Sequence, residues 1–239
     1  MSQEVFVVGT GSSLLTLTEE EIEYINSRPC ISVNRYVMFW DIVGIKPKYH
    51  IHLDLNEQTN SIIRGALHGS STLEELNWIT TKEHLDLIKR FDSTIESRVK
   101  FTLVNKLRGR HAFADKFDSS ERLFWCSILG SAINAIHILY PNSTIKILGM
   151  DGGPNTHFWA EDLVKNSSKY TDSMYALQKF FRPLKNLINS KRYHNSKKMF
   201  EWGLPIILEY FNDKGIGIYN CNQTSDWVVN GQMKYRSVL

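Results

Sequence analysis

The residues with the clearest chemical potential directly follow the first apolar run of the chain. V-F-V-V at 5–8 leads into G-T-G-S-S-L, which begins at Gly9. Glycines at positions 9 and 11 permit a positive φ and a close backbone approach, which a phosphate-cradling turn needs. The hydroxyls of Thr10 and Ser13 suit the phosphate and ribose of a mononucleotide. This pattern therefore predicts a nucleotide-binding turn built around Gly11, with an ordinary strand-to-helix turn as the alternative reading.

The same turn departs from the dinucleotide-binding fingerprint. Leu14 occupies the position at which a third glycine would allow tight helix packing. The helix also begins late, since Thr18 and Glu21 form a capping-box pattern that places the N-cap at Thr18. The connecting loop, residues 9–17, is longer than in nicotinamide dehydrogenases, so binding of NAD is not expected.

Polar residues also follow three other predicted strands. Asn34 and Arg35 come after C-I-S-V, Asp54 after Y-H-I-H-L, and Gly149 and Asp151 after T-I-K-I-L. Because the carboxyl ends of parallel strands lie along one edge of a sheet, we expect these groups near the glycine turn. There an amide can read a base edge and a carboxylate can hold ribose hydroxyls. The alternative is that they cap the helices that follow.

The elements that must position these residues alternate between two patterns. Short apolar or β-branched runs, bounded by turn residues, predict strands. Between them lie helical patterns, including the stretches 72–91 and 122–139. This alternation predicts an α/β fold with a doubly wound, mostly parallel, Rossmann-like sheet and a helical lid insertion. The predicted strands lie at 5–8, 30–34, 49–54, 144–149 and 216–220.

The chain of 239 residues is long enough for one domain with an insertion. Residues 1–151 are predicted to form the nucleotide-binding core. Residues 152–200 are polar, aromatic-rich and basic, without a strand signal, and are predicted to form a lid on the acceptor side. Residues 201–239 are predicted to return to the core as its final helix and strand.

Composition limits location and partners. No signal peptide and no apolar run of about 20 residues is present, which favours a cytoplasmic protein without a membrane span. The three cysteines are widely spaced, which favours reduced thiols in the core over a disulfide framework. The formal charge is only +3, but cations cluster at 179–198. They would attract a phosphate-bearing ligand, a nucleic acid or an anionic membrane surface, or simply form a solvated helix face. Association into a homo-oligomer stays open.

Together these motifs resemble the bacterial sialyltransferases of glycosyltransferase family 42. They also resemble the wider superfamily that contains motility-associated glycosyltransferases and archaeal hydroxymethylpterin pyrophosphokinases. Gly9–Leu14 looks like the family's G-x-G-P-S-L, with Ser12 in place of proline, and Val33–Tyr36 looks like its C-N-Q-F segment. Leu129–Ala132, followed by the strand that ends at Gly149–Asp151, looks like its small-residue turn, helix and G-x-D.

The resemblance covers roughly residues 1–56 and 120–222. It implies an inverting glycosyltransferase that transfers a sugar from a CMP- or UDP-activated donor to a hydroxyl of a glycan. No metal or other cofactor is expected, and the sequence contains no D-x-D motif. The donor contacts implied by the resemblance are Thr10, Gly11, Ser13, Asn34, Gly130, Ser131, Gly149 and Asp151.

The resemblance also implies a catalytic histidine before the last helix and strand. His194, in R-Y-H-N-S, is similarly placed, although the family's pattern there is G-H-S. Histidine suits removal of a proton from the acceptor hydroxyl because its pKa lies near neutral pH. His157, in N-T-H-F-W, is the second candidate for this base, and Tyr193 is a candidate hydrogen-bond donor to the departing nucleotide.

Three other functions compete with glycan glycosylation. A phage-type DNA glycosyltransferase would act on hydroxymethylated bases of duplex DNA and would use the basic stretch 179–198 against phosphates. An ATP-dependent pterin pyrophosphokinase would need magnesium, for which Asp54, Asp151 and Asp162 are candidate ligands. A non-catalytic nucleotide-binding module is the third.

Overall fold

The computed structural model describes residues 3–53, 76–91, 93–105, 112–118, 122–152 and 188–239. Its centre is a sheet whose described strands all run parallel, in the order β5-β4-β3-β2-β1-β6-β7. The strands are β1 Glu4–Val8, β2 Cys30–Val33, β3 Tyr49–Ile51, β4 Asn77–Thr80, β5 Lys100–Leu103, β6 Thr144–Leu148 and β7 Ile218–Asn220.

In the described connections, helices lie between the strands. The described α-helices are α1 Glu19–Asn26, α2 Trp40–Val43, α3 Lys82–Phe91, α4 Ile95–Arg98, α5 Ile128–Leu139, α6 Ile188–Asp213 and α7 Asp226–Val229. Helix α1 begins where the sequence predicts: the Glu21 N–H donates to Thr18 Oγ1 at 3.2 Å, and the Thr18 N–H donates to Glu21 Oε2 at 2.9 Å. The loop before it contains a 3-10 helix, Ser12–Thr16, and a second one, Asn34–Met38, follows β2.

The core has two layers, one on each face of the sheet. Val5 and Val7 of β1 pack with residues of α5 and α6. Phe6 and Val8, which alternate with them, pack with residues of α1, α2 and α3 on the other face. Because side chains alternate between the faces of a strand, a strand that is buried on both faces is apolar throughout, as V-F-V-V is.

The chain changes direction across the sheet between β1 and β6. Strands β1 to β5 follow one another toward one edge, whereas β6 lies on the other side of β1 and is followed by β7. The helices change face accordingly, since α1 to α3 cover one face and α5 and α6 cover the other. The predicted doubly wound α/β fold is confirmed, and its topological switch point lies between the ends of β1 and β6.

Two further features of the fold are the length of helix α6 and the state of the cysteines. Helix α6 runs without interruption from Ile188 to Asp213, so no helix end marks the predicted boundary between residues 200 and 201. Cys30, Cys126 and Cys221 are free, as expected.

Candidate functional site

The glycine turn after β1 lies directly against the turn after β6. The Gly9 N–H donates to the Leu148 carbonyl at 2.8 Å, and the Gly11 N–H donates to the Gly149 carbonyl at 2.9 Å. A Cβ at Gly9 would lie 2.6 Å from Gly149 O, and one at Gly11 would lie 2.4 Å from an Asp151 carboxylate oxygen. Both glycines are therefore required because two turns of the protein approach each other closely.

The positive φ expected in the glycine turn occurs instead in the turn after β6. Neither Gly9 nor Gly11 has a positive φ, and that of Gly11 is −73°. Gly149, at the end of β6, has a φ of +62°, a value that glycine adopts readily. The close approach of the glycine pair to a phosphate stays a prediction; in the structure the pair lies close to the turn after β6, and the left-handed conformation belongs to that opposite turn.

Asp151 joins the turn after β1 to the turn after β6. Its Oδ2 accepts the Ser13 N–H at 3.0 Å and the Ser12 hydroxyl at 3.5 Å. Its Oδ1 accepts the Ser13 hydroxyl, and also the Asn222 Nδ2 at 3.0 Å. The carboxylate that the sequence assigned to ribose hydroxyls is thus bonded to the protein itself.

The turn after β7, which the sequence analysis did not include in the site, belongs to the same network. Asn220 Nδ2 donates to the Met150 carbonyl at 3.0 Å, and the Ser225 hydroxyl donates to the same carbonyl at 2.8 Å. The Asn222 N–H donates to Asn220 Oδ1 at 2.9 Å. The cluster C-N-Q-T-S after the last predicted strand was the signal, since polar residues at strand ends had identified the other three positions.

Asn34 and Arg35 follow β2, the neighbour of β1. Val8 pairs with Ser32, so Thr10 and Asn34 each lie two residues beyond the last pair of these strands. Asn34 has a φ of +51°, and its Oδ1 is buried with no hydrogen-bond partner among the described residues. Burial lowers the pKa of Arg35 to about 10, so the guanidinium stays charged at neutral pH. Thr10 is half-buried at the same edge.

Gly130 and Ser131 lie in the first turn of α5 and are both buried. A Cβ at Gly130 would lie 2.7 Å from Cys126 Sγ. The Ser131 hydroxyl donates to the Phe124 carbonyl at 2.9 Å. In the structure the glycine and the hydroxyl position the start of α5 against the preceding segment, and the donor contacts implied at these two residues stay a prediction.

The remaining predicted site residues lie outside the described part of the structure. Asp54 and His157 fall in undescribed segments. For Tyr193 and His194 the structure describes the backbone, which is helical within α6, but not the side chains. Residues 179–187 of the basic stretch are likewise outside the described residues, and for 191–197 only the helical backbone is described.

The described residues form neither a metal-binding cluster nor a membrane-spanning helix. No group of three or more His, Cys, Asp or Glu side chains in these ranges is arranged to hold a metal ion. Within the same ranges, no helix combines the length and the apolar character that crossing a bilayer requires.

Comparisons with known proteins give one distant similarity. The chain matches no protein-family model and no curated protein. Among solved structures it is similar to a MAf glycosyltransferase from Magnetospirillum magneticum AMB-1, at 16% identity and a TM-score of 0.43. The match covers 65% of this chain but only 24% of that protein. A similarity at this level assigns no activity to the chain.

The chemistry open to the described site follows from its own groups. Asn34 offers an amide at the end of β2, and Arg35 offers a charged guanidinium beside it. An amide recognises hydrogen-bonding edges of a base or sugar, and a guanidinium recognises a phosphate. The two candidate histidines for acid and base catalysis, His157 and His194, lie outside the described side chains.

Proposed function

We propose that this protein is a glycosyltransferase that binds a nucleotide-activated sugar at the β1/β6 switch point. The observation that carries the proposal is the reversal of strand order between β1 and β6. In open α/β sheets ligands bind in the crevice outside the carboxyl ends of the strands, at such a point. The polar residues after β1, β2 and β6 lie there in this chain.

The buried Asn34 amide supports a ligand that carries hydrogen-bonding groups. An amide oxygen buried without a partner is costly, and a bound donor group would offset that cost. The positive φ of Asn34 also fits a functional position, since strained backbone is often kept where a ligand is bound. A nucleotide supplies donors on its base and ribose.

The transferase chemistry rests on the motif resemblance. In our proposal the acceptor hydroxyl of a glycan loses its proton to His194, with His157 as the second candidate. The acceptor oxygen bonds to the anomeric carbon with inversion while the bond from that carbon to the nucleotide phosphate breaks. The nucleotide leaves with the electron pair, and a CMP- or UDP-sugar is the proposed donor.

A ligand screen tests the proposal. A ligand that binds only the folded protein raises its Tm, so the protein is heated with CMP, UDP, GDP, ADP or ATP, each with and without magnesium. A magnesium-independent shift with CMP or UDP, reduced in Asn34→Ala, supports a sugar-nucleotide site. A shift only with ATP and magnesium would instead support a pyrophosphokinase, and no shift with any nucleotide would remove the proposal.

The acceptor is tested separately. Wild-type protein that responds to CMP or UDP is incubated with the corresponding sugar nucleotides and either glycans or duplex DNA with hydroxymethylated bases. Sugar transfer to a glycan that is lost in His194→Ala or His157→Ala supports the proposed reaction and selects its base. Transfer to DNA, with salt-sensitive binding of the duplex, would change the acceptor class.

A further inference from the structure

We propose that the anion-binding position of the glycine turn is occupied by the protein's own Asp151 carboxylate. In consequence the ligand's uncharged nucleoside part lies at this turn, and its phosphate lies away from it. The inference rests on the proposed nucleotide site and specifies how a nucleotide would lie in it. It gives Asp151 a positioning role in place of direct contact with the ligand.

The acceptor capacity of Asp151 is fully used inside the protein. An ionised carboxylate accepts about four hydrogen bonds. Four donors reach it: the N–H and hydroxyl of Ser13, the hydroxyl of Ser12 and the Nδ2 of Asn222. No acceptor position is left for ribose hydroxyls.

Four backbone donors of the turn are used as well. The N–H groups of Gly9 and Gly11 donate to carbonyls of the turn after β6, and the Ser13 N–H donates to Asp151. The Leu14 N–H donates to the Gly11 carbonyl at 3.3 Å. A phosphate at this place would have to displace these partners and would lie beside a carboxylate of like charge.

A cation for the phosphate lies at the next strand. In the described segments that directly follow β1, β2, β6 and β7, Arg35 is the single Lys or Arg. It is half-buried, and a guanidinium in such a position pairs well with phosphate oxygens. The nucleoside is thus expected toward β1 and β6, and the phosphate toward the Arg35 side.

The first experiment tests the occupied anion position without any nucleotide. Asp151→Ala empties the position, and we expect a Tm roughly 4–8 °C below that of the wild type. Sodium formate, compared with sodium chloride at equal ionic strength, should restore part of this loss, because formate supplies the missing carboxylate. The matched control is Asn222→Ala, which removes one donor but keeps the carboxylate, so formate should not raise its Tm above the chloride value. Equal responses of the two variants would overturn the occupied anion position.

The second experiment locates the phosphate. Dissociation constants of cytidine and CMP, or of uridine and UMP, are measured for wild type, Asp151→Ala, Arg35→Gln and Arg35→Lys. We expect Asp151→Ala to weaken nucleoside and nucleotide by the same factor, within about twofold. In wild type we expect the nucleotide to bind more tightly than the nucleoside. Arg35→Gln should remove most of this difference in affinity, whereas Arg35→Lys should keep part of it.

Two results would overturn the orientation. In one, inorganic pyrophosphate competes with CMP, and Ser13→Ala weakens this competition. The phosphate would then lie in the glycine turn. The other is an Asp151→Ala variant that loses nucleotide but not nucleoside affinity. Failure of the proposed function is distinguishable: no nucleoside or nucleotide would bind the wild type, although formate would still rescue Asp151→Ala.

Discussion

The buried imidazole of His50 makes the stability of this protein dependent on pH. His50 lies in β3 and is completely buried, with Nδ1 2.9 Å from the Ser32 hydroxyl and its ring against the edge of Trp78. Its Nε2 has no hydrogen-bond partner among the described residues. Burial, together with the neighbouring His84, lowers the pKa of His50 from 6.5 to about 3.

The sign of the effect follows from this lowered pKa. Above pH 6.5 the imidazole is neutral in both the folded and the unfolded chain. Below pH 6.5 the unfolded chain takes up the proton first, so stability is lost as the pH falls toward the folded pKa of about 3. Between pH 7.5 and pH 5.0 the unfolded chain is stabilised by this proton over about 1.5 pH units. The unfolding free energy therefore falls by about 2 kcal/mol.

The assay compares wild type with His50→Gln, which cannot titrate. Urea unfolding at pH 7.5 and pH 5.0 gives the free energy of unfolding of both proteins. We expect the wild type to lose about 2 kcal/mol more than the variant on acidification. Histidines that do not interact with His50 contribute equally to both proteins and cancel in this comparison. Equal losses, or an NMR titration of the His50 ring above pH 5, would refute the assignment of a neutral buried imidazole.

Three further perturbations test other parts of the structure. Gly11→Ala should lower the unfolding free energy by about 2 kcal/mol, measured by urea unfolding, because the new Cβ would lie 2.4 Å from an Asp151 oxygen; an unchanged value would contradict the close approach of the two turns. Lys146→Met should cost about 3 kcal/mol in the same assay, because it removes the 2.8 Å ion pair with Glu4, and Lys146→Met/Glu4→Gln should regain part of that loss. A double variant no more stable than the single one would refute the pairing. Asn34→Gly keeps the positive φ, so unfolding should change by less than about 1 kcal/mol, while calorimetric affinity for CMP should fall roughly tenfold; parallel losses of both would point to a structural role only.

The ion pair between Lys146 and Glu4 also makes the stability of the protein depend on pH. Burial opposes ionisation of Glu4, but hydrogen bonds from Lys146 and Tyr24 outweigh it and lower the pKa of this carboxyl. A lowered carboxyl pKa contributes stability at neutral pH that is lost as the pH falls through the folded pKa. Lys146 also donates to the Val238 carbonyl at 2.7 Å, so the same ammonium group contacts the C-terminal segment.

The sequence predicted the buried strands better than the strands toward one edge of the sheet. V-F-V-V and T-I-K-I-L are apolar runs bounded by turns, and they became β1 and β6. Strand β4, N-W-I-T, was included in a predicted helix because it directly precedes the amphipathic pattern of α3. Strand β5, K-F-T-L, lies at the edge and is partly exposed, so it lacks the apolar run that marked the others.

The candidate site shows what residue types can and cannot reveal. Polar residues at strand ends correctly led to the edge where β1, β2 and β6 end, because parallel topology brings those ends together. The partners of each group depend on distances of a few tenths of an ångström between turns, which the sequence does not encode locally. Asp151 has the same residue type whether it binds a ribose or the Ser13 N–H. The packing of Gly9 and Gly11 against the turn after β6 decides between them, and it brings the Ser13 N–H and hydroxyl onto the protein's own carboxylate.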